Sequence, residues 1–77
     1  MEQKLRTLDQ LEVGETARVH SLELHGAIRR RLQDIGLICG TQVQCVLENP
    51  SGSPKAYRIR GAVLALRTQD AKGVLIQ

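Results

Sequence analysis

Arg29-Arg30-Arg31-Leu32-Gln33-Asp34-Ile35-Gly36-Leu37-Ile38-Cys39-Gly40 is the stretch on which the fold turns, because a basic amphipathic helix stops within it and passes into a strand. Leu24, Ile28, Leu32 and Ile35 fall on one helical stripe, with Ala27 beside it. Gly36 suits the C′ position, where a left-handed residue lets its own N–H and that of Leu37 bond the last helical carbonyls, with Leu37 packed on Leu32. Gly40 then turns the chain toward Thr41 and the alternation Val43, Cys45, Leu47.

Outward from this centre the chain reads as short β structure. Thr7 followed by Gln10 predicts a capped turn that points Leu8 and Leu11 inward. Ala17 and Val19 form the inner face of a strand whose outer face holds Thr16, Arg18 and His20. The helix starts between Leu24 and Ala27. The strand Gln42–Glu48 is expected to send Val43, Cys45 and Leu47 inward. Asn49 to Pro54 is a surface loop. Residues 56–60 and 62–66 read as a hairpin through Gly61, with Tyr57 and Ile59 opposite Arg58 and Arg60. The run Ala62-Val63-Leu64-Ala65-Leu66 is apolar on both faces, as in a covered central strand. A turn ending at Gly73 leads to a last strand with Val74 and Ile76 inward. The expectation is a mostly β fold with one inserted helix, a small five-stranded barrel spanning 1–77 as a single domain.

Composition narrows the function. The chain has 77 residues, 42% of them hydrophobic, with Tyr57 its single aromatic. A polyproline groove needs an aromatic floor and a single-strand nucleic-acid platform needs stacking rings, so neither can be built here. Eleven Lys and Arg against eight Asp and Glu give a net charge of +3, mild enough for an ordinary surface. No apolar run approaches a membrane helix, and Met1-Glu2-Gln3-Lys4 lacks the features of a secretion signal, so a cytoplasmic location is expected. Cys39 and Cys45 are spaced neither as a redox pair nor as part of a zinc site.

The order of signals resembles the FeoA family. It runs from Thr7-Leu8 to Leu11 and Gly14, then Arg31-Leu32-Gln33-Asp34-Ile35-Gly36-Leu37 with Gly40, then Pro54, Gly61-Ala62-Val63-Leu64-Ala65-Leu66-Arg67 and Ala71. The resemblance covers Thr7 to Gln77 and implies an SH3-like barrel, not an enzyme, acting on the cytosolic part of FeoB, a membrane transporter of ferrous iron with a GTPase domain. The same domain type resembles the C-terminal module of metal-dependent repressors, without their DNA-binding domain. Cys39 stands where family members often carry proline.

Partner binding is therefore expected on the outer side of Arg29, Arg30 and Arg31, on Leu37, Ile38 and Cys39, and on the hairpin at Arg58. A turn carrying Leu, Ile and Cys beside arginines has the apolar centre and charged rim of a modest interface. Lys55, Arg58 and Arg60 form a second basic group, and an anion- or nucleic-acid-binding domain is the rival reading if this group meets the helix arginines on one surface. Weak transition-metal sensing through His20, Glu23, His25, Cys39 or Cys45 is a third reading. Their spacing fixes no metal site, however, and no catalytic residue or cofactor is assigned. An open barrel edge also leaves room for weak self-association.

Overall fold

A computed structural model describes residues 5–77, so Met1 to Lys4 and the reading made of them lie outside the described residues. The elements in chain order are β1 (Arg6–Thr7), a 3₁₀ turn (Leu8–Gln10), β2 (Thr16–Leu22), α1 (Gly26–Asp34), β3 (Gln42–Glu48), β4 (Lys55–Ile59), β5 (Ala62–Leu66), α2 (Thr68–Ala71) and β6 (Val74–Ile76). The strands are antiparallel in the order β1-β6-β2-β3-β4-β5. The sixth strand, missing from the sequence reading, is the two-residue β1, too short to leave an alternation.

What rolls this sheet around a core is β2. Its first part pairs with β3, through Thr16 with Gln44 and Arg18 with Gln42, and its second part pairs with β6, through Val19 with Ile76 and Leu22 with Val74. A register shift between Val19 and Ser21 puts an extra residue, His20, at the bend, where a bulge sharpens the strand's twist. Because β1 and β5 end the strand order without pairing to each other, the barrel is partly open.

The core is aliphatic with one aromatic centre. Leu8, Leu11, Val19, Leu32, Leu37, Val43, Cys45, Tyr57, Ile59, Val74 and Ile76 are all buried. The Tyr57 hydroxyl donates to the Leu8 carbonyl at 3.4 Å, giving its one polar atom a partner. Burial, assisted by Cys45, Asp9 and Glu48, pushes the Tyr57 phenol well above its ordinary pKa. Lys55 crosses from β4 to the end of the 3₁₀ turn. Its Nζ donates to the Asp9 and Leu11 carbonyls at 2.8 and 3.0 Å and pairs with Glu48 at 3.2 Å. The turn is held at its start by the Thr7 N–H, which donates to Gln10 Oε1 at 3.1 Å.

Three expectations are corrected. Leu47 points outward and is 64% exposed. Cys45 pairs with Tyr57 but Leu47 pairs with Ala56, so β3 spends two residues where β4 spends one, and the extra Val46 reverses the alternation. The second concerns β5, which is an edge strand and not a covered central one, with Ala62, Val63 and Ala65 exposed. An apolar run looks the same in either position until the strand order is known. The third is Ile35, which keeps 37% of its surface exposed although it continues the helical stripe. It is the C-cap residue, where the helix has ended.

Candidate interaction surface

The stop of α1 is built as a Schellman motif. Gly36, at φ +106°, donates its N–H to the Gln33 carbonyl at 3.0 Å, and Leu37 donates to the Leu32 carbonyl at 2.9 Å. The accompanying apolar partners, Leu32 and Leu37, both lie fully buried in the core cluster. Leu37 therefore leaves the set of residues available to a partner. Its neighbour Ile38 is 44% exposed, and Cys39 is an exposed thiol. With Ile35, Ile38 gives this end of the molecule two uncovered isoleucines. Cys45, by contrast, is buried in the core, and that burial raises its thiol pKa.

The three helix arginines divide. Arg29 folds back so that its Nη1 donates to the Leu22 carbonyl at 2.7 Å and the Leu24 carbonyl at 3.3 Å, tying α1 to the end of β2. All three remain exposed, but among the described residues no such backbone bond holds Arg30 or Arg31. The ion pairs among the described residues are Arg6 with Glu15 and Lys55 with Glu48, so neither Arg30 nor Arg31 has an acidic partner there. A small hollow lined by His20, Leu22, Arg29, Gln33, Ile38 and Cys39 separates this helix end from β2. His20 is within 3.1 Å of the Ser21 hydroxyl, and among the described residues no three His, Cys, Asp or Glu side chains gather as a metal site.

The hairpin arginines face elsewhere. The register aligns Thr16, Gln44, Arg58 and Val63 across β2, β3, β4 and β5 on the outer face, with Arg18 beside Gln42 one step along. Thr16, Thr41, Gln42, Gln44, Arg58, Arg60 and Gly61 line an open groove of about 470 Å³. None of the helix arginines reaches it, so the two basic groups do not share a groove. Lys55 is absent as well, being committed to the 3₁₀ turn. Arg60 comes closest to joining the two regions. It occupies the β4–β5 turn at φ +51°, ahead of Gly61 at +83°, the two left-handed residues of a tight hairpin. Its side chain lies so close to Gly36 that a Cβ there would sit 2.8 Å from Arg60 Cδ.

Sequence reasoning missed Arg18, Gln42 and Gln44 as members of this face. Alternation places each outward on its own strand, but only the register brings them beside Arg58. No helix among the described residues is long and apolar enough to cross a membrane.

A family model for the FeoA domain matches residues 6–77. None of the curated proteins matches the sequence. Among solved structures, the FeoA protein of Chlorobium tepidum is 32% identical with a TM-score of 0.88, over 94% of this chain and 69% of that one. The zinc-complexed FeoA of Stenotrophomonas maltophilia, described as a prokaryotic SH3 domain protein and a candidate ferrous iron transport activating factor, is 34% identical with a TM-score of 0.83, over 94% and 89%. A manganese-dependent transcriptional repressor shares the fold alone, at 17% identity and a TM-score of 0.84 over 99% of this chain and 37% of its own. The mostly β architecture with its single substantial helix is thus the SH3-like fold of these proteins, and the chain belongs to the FeoA family of ferrous iron transport.

Proposed function

We propose that the chain is a non-enzymatic accessory module of ferrous iron uptake, acting in the cytoplasm by docking on the cytosolic part of a FeoB-type transporter. The surface assigned to this contact is the end of α1 and its turn, with Arg30, Arg31, Ile38 and Cys39 as contact residues and Ile35 alongside them. The observation that carries it is the pair of exposed isoleucines, 37% and 44% uncovered: Ile35 shares a shallow hollow with Arg30 and Arg31, which have no acidic partner among the described residues, and Ile38 shares one with Arg29. Covering Ile35 and Ile38 removes apolar surface from water, while the arginines at the rim set orientation and encounter rate. Arg29 and Leu37 support this surface, Arg29 through the Leu22 and Leu24 carbonyls and Leu37 through the core.

Titrating the labelled protein with the transporter's cytosolic region tests the proposal. Saturable binding that Ile38→Ser weakens, with an unchanged thermal melt, supports it. Binding confined to duplex DNA, lost steeply on adding salt, would reject it in favour of a nucleic-acid-binding domain.

A further inference from the structure

We propose that the outer face of β2, β3, β4 and β5 is a second docking surface, which takes an extended peptide segment carrying carboxylates followed by aliphatic side chains. Its chemistry changes along the strands. At one end are Arg18 and Gln42, with Arg60 reaching the groove from the β4–β5 turn; next comes the row of Thr16, Gln44, Arg58 and Val63; beyond it are Leu47 and Ala65 on either side of the buried Ala56. The first end is cationic and amide-lined, with no carboxylate on the groove among the described residues. At the other, Leu47 is 64% exposed, and Val63, in the middle row beside Arg58, is 59% exposed. Successive rows on one face are two residues apart along each strand. An extended peptide laid along the strands repeats at that same interval, so alternate side chains meet successive rows.

Charge complementarity selects the occupant. Arg58 and Arg60 have no ion-pair partner among the described residues, and Arg18 is held only by a hydrogen bond to the Gly40 carbonyl at 3.0 Å. Three guanidiniums on one face repel a second copy of this chain and attract carboxylates, which accept their paired N–H donors. A nucleic acid suits the face less well. The single tyrosine is buried and offers no stacking platform, and phosphodiesters leave Leu47 and Val63 uncovered. Arg60 is further fixed for this role by its left-handed turn position and by Gly36, whose missing side chain leaves room for the arginine stem.

The surface does not depend on the transporter reading, and its test uses a different probe. Isotopically labelled protein is titrated with the synthetic peptide Glu-Ser-Glu-Ser-Val-Ser-Leu, with its counterpart bearing Gln for each Glu, and with a short single-stranded DNA. The expected result is peptide-dependent shifts at Thr16, Gln42, Gln44, Arg58 and Val63. Arg58→Gln should weaken binding about three- to fivefold, and Arg58→Lys should keep most of it. A thermal melt equal to the parent's shows that the Arg58→Gln loss is local. Equal affinity for the Gln peptide, shifts confined to the α1 turn, no effect of Arg58→Gln, or tighter binding of DNA at the same residues would each overturn the proposal.

Discussion

The two arginine-bearing regions of this protein look alike in composition and differ in construction. At the end of α1, three consecutive arginines announce themselves in the sequence, yet one of them is tied along the surface to the carbonyls of Leu22 and Leu24, and Leu37 of the following turn is core. On the outer sheet face, strand register brings Arg18 of β2 onto the same side as Arg58 of β4, and Arg60 joins them from the β4–β5 turn. A run of like charge on a short helix is spread around its circumference and diluted, whereas alternate residues on paired strands concentrate on one side. The less conspicuous region is the more uniformly cationic surface.

Substitutions can break or sharpen this contrast. The largest effect belongs to Leu37→Ala, which should lower stability by about 2–5 kcal/mol in urea denaturation by leaving a cavity under the turn. Ile38→Ser next to it should change stability by no more than about 1 kcal/mol, since that side chain is already half uncovered. Comparable losses at both positions would show the turn to be wholly structural. Gly36→Ala follows, at about 1–3 kcal/mol, because alanine resists the left-handed backbone and its Cβ displaces the Arg60 stem. It should also alter the amide signals of Arg60 and Gly61, linking the two regions.

Arg29→Gln is expected to cost about 0.5–1.5 kcal/mol through the lost hydrogen bonds to the Leu22 and Leu24 carbonyls. Arg58→Gln should stay within about 0.5 kcal/mol of the parent while weakening acidic-peptide binding. A reversal of these two would invert the division between structural and recognition arginines.

The smallest effect is a pH dependence beside the sheet face. The Glu12 backbone N–H, donating at 3.0 Å, and Arg6 at 2.9 Å hold the Glu15 carboxyl below its ordinary value of 4.5. A carboxyl depressed in the folded state adds stability that is full above the unfolded pKa and lost as pH falls through the folded one. Denaturation midpoints should therefore decline less below about pH 5 in Glu15→Gln than in the parent.

Much of the fold was legible because side-chain period and turn chemistry agreed. Val74 and Ile76, Tyr57 and Ile59, and the Gly36 stop each followed from a local rule and hold in three dimensions. Leu47 was misplaced because a bulge at Val46 leaves no mark in the apolar pattern, and β5 because alanine and valine at an open edge read like a buried strand. The helix-turn surface was legible apart from the burial of Leu37, whose packing on Leu32 belongs to the same glycine stop that was read correctly. Of the sheet face only Arg58 and Arg60 were legible, as one side of the hairpin, because Arg18, Gln42 and Gln44 become their neighbours only through pairing.

The account rests most directly on docking, and a titration of isotopically labelled protein with the cytosolic region of a FeoB-type transporter tests it. Saturable shifts centred on Arg30, Arg31, Ile35, Ile38 and Cys39, weakened in Ile38→Ser and retained in Arg58→Gln, are the predicted result. An absence of saturable shifts with that region, alongside salt-sensitive binding of duplex DNA, would contradict it.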